Sequence, residues 1–155
     1  MTVVSDTTAI TTLLKIGREH LLFKLFGKVM VPQSVWDELL AFHSQLPDFV
    51  VLQPVAAGNQ RLSETDPLGR GEAEAIQLAK EINADLFLTD DLQARAVATR
   101  LKIKRTGLLG LLVRAKQAGH IFSVRETIEM LETKGGLYLS DEVKAEAMRL
   151  AGEAI

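Results

Sequence analysis

Five short, mostly apolar runs recur along the chain, and a segment with helical spacing follows each of them. Runs that lack strict apolar–polar alternation are typical of strands covered on both faces. Strands that alternate with helices favour an α/β fold built on a parallel sheet. We therefore predict a parallel sheet with strands at 3–5, 28–31, 49–52, 85–89 and 103–106.

The segments between these strands place apolar residues three and four positions apart, which predicts helices. Gly17 and Gly27 are plausible stops for the first two, and Ser123 and Ser140 are plausible N-caps near the end of the chain. Residues 56–68 are predicted to be a loop with at most one helical turn. The predicted helices cover about 10–16, 21–26, 32–42, 71–82, 92–101, 108–118, 123–133 and 140–152.

Within the third helix, apolar residues from Val35 to Phe42 keep the helical period and are assigned to the core, as is Trp36. The chain has 155 residues, of which 47% are hydrophobic and 25% charged. This length and composition favour a single globular domain that spans residues 1–155, with a core large enough to need no disulfides or structural metals.

The composition excludes several classes of chemistry. The chain has no cysteine, which excludes thiol catalysis, cysteine-bound zinc and disulfides and fits a cytoplasmic protein. We expect neither a signal peptide nor a membrane span, because the longest apolar stretch, 107–113, is far shorter than the ~20 residues that a span requires. With a net charge of −2, any nucleic-acid contact is expected to be local or assisted by metal.

Acidic residues follow two of the predicted strands directly. Asp6 comes after the first strand, and Asp90 and Asp91 come after the fourth. In an open α/β sheet, sites form outside the carboxyl ends of the strands where the strand order switches. If these two strands are neighbours, the carboxylates repel one another, which raises a pKa or recruits a hard divalent cation.

Two glutamates are further candidates. Glu38 lies in line with Val35 and Phe42 on the border of the buried helical face, where an unpaired carboxylate is costly. Glu72 follows the sequence GRG at the start of a helix. A negative charge interacts favourably with the helix dipole there, and this interaction alone would explain the residue. Each acid taken alone has an ordinary structural explanation of this kind. The acids together indicate a functional site more specifically than any one of them does.

With these acids in this order, the sequence resembles the PIN-domain family, the metal-dependent nuclease fold of VapC-type toxins. It resembles more closely a PIN-like branch of uncharacterised prokaryotic proteins. The similarity extends from VVSDTTAI through RGEAEAIQLAKEINADLFLTDDLQAR to TGLLGLLVRAKQAG. PIN domains carry an aspartate after the first strand, a glutamate in the helix after the second strand, an acid at the opening of a later helix and an aspartate after the fourth strand. These acids match Asp6, Glu38, Glu72 and Asp90. The resemblance implies a three-layer α/β/α fold with about five short parallel strands, a core of about 1–120 and a helical extension of about 121–155.

This sequence departs from the family pattern at two points. The third acid is Glu72 where most PIN domains have Asp, although its separation of 18 residues from Asp90 is kept. The usual threonine two residues before the last acid is Leu88 in that register. Thr89 and Asp91 restore the Thr-x-Asp pattern with a separation of 19, so Asp91 is the second choice for the last ligand.

The resemblance implies hydrolysis of phosphodiester bonds, with single-stranded RNA as the expected substrate. Asp6, Glu38 and Asp90 would hold Mg²⁺ or Mn²⁺, and Glu72 and Asp91 would complete the site or assist a second ion. It also implies a toxin role with an antitoxin protein as partner, and a homodimer. An apolar C-terminal face could serve the dimer, although an intrachain role is equally open; its residues are Leu131, Leu137, Leu139, Val143 and Leu150.

Basic residues would have to hold the RNA backbone beside such acids. Arg70 and Arg95 flank the acids in sequence and are the preferred candidates, because the guanidinium fork suits phosphate. The denser basic run from Arg95 to Arg105 is interpreted rather as a solvated helix face and strand entry.

Two alternatives compete with the nuclease. One is a catalytically silent PIN-like module that binds a protein or RNA partner, favoured mildly by Glu72 and the acidic net charge. The other is a phosphoacceptor receiver domain, which is disfavoured because the first strand is followed by Asp6 alone rather than by an acidic pair.

Overall fold

Five short strands form one sheet in the computed structural model, which describes residues 1–57 and 61–154. The strands are β1 (Val3–Ser5), β2 (Val29–Val31), β3 (Val50–Leu52), β4 (Leu86–Leu88) and β5 (Arg105–Thr106). All pairings are parallel, and the strand order is β3-β2-β1-β4-β5. The predicted parallel sheet is therefore confirmed, with β5 shorter than expected.

Eight helices surround the sheet in the described part of the chain, each close to its predicted position. They are α1 (Thr7–Lys15), α2 (His20–Phe26), α3 (Gln33–Phe42), α4 (Arg70–Glu81), α5 (Leu92–Arg100), α6 (Leu108–Gln117), α7 (Val124–Thr133) and α8 (Asp141–Leu150). The hydroxyls of Ser123 and Ser140 cap α7 and α8 as predicted. The predicted loop contains a 3₁₀ turn at Ser63–Thr65, while 58–60 lie outside the described residues.

The helices cover both faces of the sheet, which gives the expected three-layer α/β/α architecture. Contacts run from α1 through α3 and α4 to α5, and a second set joins α2 and α6 with α7 and α8. Every residue of β1 and β4 is buried, because these two central strands have helices on both sides. None of the described helices is long and apolar enough to cross a membrane.

The strand order switches direction between β1 and β4. From β1 the chain proceeds outward to β2 and β3, and it then returns to place β4 on the other side of β1. Val3, Val4 and Ser5 pair with Leu86, Phe87 and Leu88. The residues that follow both strands therefore meet at one edge, the switch point at which open α/β sheets form a crevice for ligands.

The end of α3 differs from the prediction. Phe42 is 77% exposed and Leu40 is 44% exposed, although helical spacing assigned both to the core. Trp36 packs against the core only partly buried. Spacing along a helix does not reveal where its neighbours end, and the last turn of α3 extends beyond the elements that bury Val35 and Leu39.

The C-terminal helices pack onto α6 rather than presenting a common apolar face. Leu131 is fully buried, and Leu137 and Leu139 pack against the core. Only Val143 and Leu150 of the five candidate dimer residues are largely exposed. Three of the five candidates thus pack within the chain.

Candidate active site

Asp6 occupies the start of α1 directly after β1, and its carboxylate is almost fully buried at 3% exposure. Its backbone N–H donates to the carbonyl of Leu88, which ties it to β4. Its Oδ1 accepts from the N–H of Ala9 at 3.1 Å and thereby caps the helix. Its Oδ2 accepts from the Thr89 hydroxyl at 2.7 Å. Both oxygens are oriented by fixed donors, and each has a further lone pair that could accept.

Thr89 links the ends of β1 and β4. It is completely buried, and its hydroxyl donates to Asp6 while accepting from the backbone N–H of Asp91 at 3.2 Å. A hydroxyl can donate and accept at once, so one threonine orients two segments of the site. Sequence reasoning treated this threonine only as a marker of register and missed its contact with Asp6.

Asp90 and Asp91 have different environments. Asp90 Oδ2 accepts from the N–H of Leu108 at 3.0 Å, which places this carboxylate at the positive N-terminal end of α6. Asp91 instead caps α5, because its Oδ1 accepts from the N–H of Ala94 at 2.7 Å. The neighbouring acids thus serve two helices, and the ordinary capping interpretation accounts for Asp91.

Glu38 reaches the site from α3, but it is an exposed residue rather than one on the border of the buried face. Its Oε2 accepts from the hydroxyl of Thr7, the residue after Asp6. Glu38 is therefore held beside the start of α1 by a hydrogen bond rather than by burial. The position of Thr7 next to Asp6 gave no signal of this contact in the sequence.

Glu72 lies half-buried in the first turn of α4. An ideal Cβ added to Gly69 would lie 2.9 Å from Glu72 Oε2, so this carboxylate folds back over the glycine. Two positions on, a Cβ on Gly71 would lie 2.8 Å from Glu38 Oε1. The GRG sequence therefore provides space for two carboxylates, which is a use of glycine that motif reasoning did not consider.

A third glycine has the same relationship to the last acid. A Cβ on Gly107 would overlap Asp90 Oδ1, and the same residue is the N-cap of α6. Three of the four candidate acids thus lie against a glycine. A Cβ atom at any of these three glycines would collide with the carboxylate. The close approach of backbone and carboxylate is a packing property that no single segment of sequence displays.

The buried carboxylate of Asp6 has a strongly shifted affinity for protons. Burial is the main cause and raises its pKa from 3.8 to about 6, against the hydrogen bonds from Thr89 and Ala9, which lower it. The negative charges of Asp90 and Glu72 raise this pKa further. Asp90 and Glu72 therefore each lie close enough to repel the charge of Asp6. Asp91 is not among these causes, which supports Asp90 as the acid of the site.

The predicted substrate-binding arginines are placed differently. Arg70 is exposed at the first position of α4, two residues from Glu72. Arg95 is half-buried in α5, and its Nε is buried with no hydrogen-bond partner among the described residues. Of the rest of the basic run, Lys102, Lys104 and Arg105 line a groove at the amino ends of the strands, away from these acids.

The sequence profile of the family DUF3368, a PIN domain, matches residues 2–153. The chain belongs to the PIN-domain family. PIN domains are a nuclease-like family and generally use divalent metal ions. The match covers nearly the whole chain, including both C-terminal helices.

A solved structure supports the fold of this PIN domain independently. A PilT N-terminus domain protein from the hyperthermophilic archaeon Sulfolobus solfataricus P2 superposes with a TM-score of 0.56 at 20% sequence identity. The similarity covers 74% of this chain and 93% of that protein. None of the curated proteins is significantly similar in sequence.

The donor atoms at this edge of the PIN domain fit a hard divalent ion. They are all carboxylate oxygens, and a cation would relieve the repulsion that Asp90 and Glu72 exert on Asp6. Within 1–57 and 61–154, however, no three acidic, histidine or cysteine side chains are already grouped as metal ligands. The chemistry of the site fits a metal, and binding one would draw these carboxylates closer together.

Glu74 adds a structural contact that sequence reasoning did not anticipate. Its Oε1 accepts from the backbone N–H of Ser34 at 3.0 Å. Pro32, the N-cap of α3, has no side chain to satisfy this group, so Glu74 supplies a cap from α4. This bond fixes α3, and with it Glu38, against the helix that carries Glu72.

Proposed function

We propose that this PIN domain is a metal-dependent ribonuclease that hydrolyses phosphodiester bonds of single-stranded RNA. The observation that carries the proposal is the meeting of Asp6 and Asp90 at the carboxyl ends of the paired strands β1 and β4, and the charges of Asp90 and Glu72 contribute to the raised pKa of Asp6. Carboxylates that repel one another in a crevice at a sheet switch point are arranged for a cation.

Asp6, Glu38, Glu72 and Asp90 would hold Mg²⁺ or Mn²⁺. The bound ion would supply an activated water and neutralise charge on the phosphate. The protein's own contribution is orientation: Thr89 holds Asp6, Thr7 holds Glu38, and the start of α6 holds Asp90. These donors orient the individual carboxylates, while the binding of an ion would still have to draw them closer together.

Substrate would approach an acidic crevice, so cations must offset the repulsion of its phosphates. Arg70 is exposed beside Glu72 and is proposed to contact the RNA backbone. Arg95 is a weaker candidate because it is half-buried. The proposal extends to a toxin of a toxin–antitoxin pair, with an antitoxin protein as partner and a homodimer as the assembly, on the strength of the family resemblance.

The test is an RNA cleavage assay with Mn²⁺ or Mg²⁺ against EDTA. Asp6→Asn, Glu38→Gln and Asp90→Asn are compared with matched controls from neighbouring positions. Asp37→Asn changes an exposed acid next to Glu38. Oδ1 of Asp37 accepts from the side-chain amide of Gln33. Asp91→Asn changes the acid next to Asp90 while leaving an amide oxygen to cap α5.

We expect metal-dependent cleavage by the wild type and both controls, and its loss in the three site variants. Cleavage that survives Asp6→Asn and Asp90→Asn would refute the site. Loss in Asp91→Asn with retention in Asp90→Asn would transfer the ligand role to Asp91.

A silent binding module is the second candidate. It is favoured by the hydrogen bonds that already engage both oxygens of Asp6 and by the lack of a ready-made ligand group in the described residues. It predicts no metal-dependent cleavage and no metal binding by calorimetry, together with RNA or protein binding that Asp6→Asn leaves unchanged.

A further inference from the structure

An open groove of about 1010 Å³ lies at the amino ends of the central strands. Leu86, which begins β4, and Asp85 before it line the groove, whereas Asp90 of the candidate active site follows the other end of the same strand. The groove is thus separated from those acids by the length of β4, roughly 10 Å for three residues. It is a different surface from the crevice.

Four exposed basic side chains line this groove, namely Lys102, Lys104, Arg105 and Arg114. None of them forms a salt bridge with a described acidic residue. Asp85 is the one acidic side chain in the lining, and its Oδ2 accepts from the backbone N–H of Thr2 at 2.7 Å. The side chains of the lining therefore carry a net charge of +3 (four basic, one acidic) in a protein whose net charge is −2.

Helix ends do not cancel this charge. Asn83 and Lys102 follow the C-terminal ends of α4 and α5, and each such end carries about −0.5 of a charge. Their sum, about −1, leaves roughly +2 on the groove. The basic side chains exceed what is needed to offset the two dipoles.

One of the basic residues is held in place. Arg105 donates through Nε to the Thr99 hydroxyl at 3.1 Å and to the Arg95 carbonyl at 3.2 Å. Both bonds use Nε, so the terminal nitrogens of the guanidinium fork remain for a phosphate.

The lining also indicates the kind of partner. The groove is too open to enclose a small anion, and its core residues Leu86 and Ile103 are themselves buried. A protein partner or a membrane would need exposed apolar side chains to bury, and only Met1 offers one here. Exposed cations without an apolar centre suit a phosphate backbone, which is recognised by charge along its length.

We propose that the groove lined by Lys102, Lys104, Arg105 and Arg114 binds the phosphate backbone of single-stranded RNA, separately from the acids at the opposite edge of the sheet. This goes beyond the proposed nuclease activity and does not depend on it, because binding at this surface requires neither metal nor cleavage.

The test is fluorescence anisotropy of a labelled mixed-sequence single-stranded RNA in EDTA. Without metal, the acidic crevice repels phosphate and no cleavage occurs, so the titration reports binding elsewhere. The groove variant is Lys104→Glu combined with Arg114→Glu. The control is Lys24→Glu combined with Lys134→Glu, which makes the same charge change at exposed cations of α2 and the end of α7.

We expect wild type to bind RNA in EDTA, and the groove variant to bind at least about tenfold more weakly than the control. The slope of log affinity against log salt should also fall by about 1.4, since each single-strand phosphate contact contributes about 0.7. Thermal melting of both double variants checks that they remain folded.

Three outcomes would overturn the proposal. Absence of RNA binding by wild type in EDTA removes the surface as a nucleic-acid site. Equal weakening in the groove variant and the control shows that only net charge matters. Tighter binding of poly-glutamate than of RNA, sensitive to the groove substitutions, assigns the groove to an acidic protein instead.

Discussion

The hydroxyl of Thr89 lies 2.7 Å from Oδ2 of Asp6 and joins the ends of two neighbouring strands through one buried hydrogen bond. The bond lowers the pKa of a carboxyl that burial raises. Thr89 is thus a positioning residue for the acid on which the proposed chemistry depends, and the first two predictions concern this pair.

Replacing Thr89 with valine removes a donor from a buried carboxylate while keeping the shape of the side chain. We expect the free energy of unfolding at pH 8 to fall by about 1–3 kcal/mol, because Asp6 loses a hydrogen bond that water cannot replace. Thr89→Ser, which keeps the hydroxyl, is the control and should lose much less. Urea denaturation measures both, and equal losses in the two variants would show that the methyl group matters rather than the bond.

Asp6 should make the protein less stable as pH rises. Its pKa is raised by burial from 3.8 to about 6, so between these values the folded state binds more protons than the unfolded state. The free energy of unfolding then decreases as pH rises from about 4 to 6, by roughly 3 kcal/mol in total.

Asp6→Asn removes this dependence and can still cap α1 through its amide oxygen. We expect the free energy of unfolding of the variant to increase relative to that of wild type as pH rises from 5 to 8, as measured by urea denaturation in metal-free buffer. A constant difference between the two proteins across that range would contradict the raised pKa.

Adding a methyl group at Gly107 should displace Asp90. An alanine Cβ there would overlap Asp90 Oδ1, and a misplacement of about 1 Å costs on the order of a hundredfold in rate. Gly110→Ala is the matched control within α6, because its Cβ would overlap the hydroxyl of Thr106 in β5 and contact no acid. RNA cleavage and metal affinity should fall in Gly107→Ala alone. Equal loss in both variants would indicate a general disturbance of α6.

Divalent metal should stabilise the folded protein. An ion that binds only the folded state at a hundred times its Kd adds about 2.7 kcal/mol. We expect Mn²⁺ to raise the Tm of wild type and of Asp37→Asn at pH 8, and EDTA to reverse the rise. Asp6→Asn and Asp90→Asn should show little or no shift. A shift of wild-type size in these two variants would place the ion elsewhere.

Glu153 should stabilise the C-terminal helices. Its Oε2 accepts from the N–H of Val124 at 2.6 Å and from Lys116 Nζ at 3.2 Å, and its Oε1 accepts from the N–H of Arg125 at 3.1 Å. Glu153→Ala leaves these donors unpaired and should lower the free energy of unfolding by about 1–3 kcal/mol. The control is Glu146→Ala, which breaks an exposed ion pair with Arg149 and should cost less than about 1 kcal/mol. A larger cost at Glu146 would contradict this account of the C-terminal packing.

Much of the fold was predictable because its signals are local. The apolar run that ends at Leu88 marks a strand without reference to any other segment, and Ser123 marks the start of a helix by its own hydroxyl. Asp6 and Asp90 were predicted to face each other because parallel strands bring their carboxyl ends to one edge. That inference needed only the assumption that β1 and β4 are neighbours, which the strand order confirms.

Other features were not predictable because they depend on what lies beside a segment. Phe42 has helical spacing like Leu39, yet one is exposed and the other buried, since exposure depends on where the neighbouring elements end. Glu38 was selected on an argument of burial that proved wrong, and a hydrogen bond to Thr7 holds it instead.

The sequence by itself thus determined the class of fold, the parallel sheet and the carboxylates at its edge, because periodicity and residue type act over a few neighbouring positions. The tertiary structure was needed to show that Asp91 bonds the start of α5 whereas Asp90 bonds the start of α6. It also decided that Gly71 and Gly107 make room for carboxylates. The physical reason is that a donor, a void or a repelling charge is contributed by residues distant in the chain.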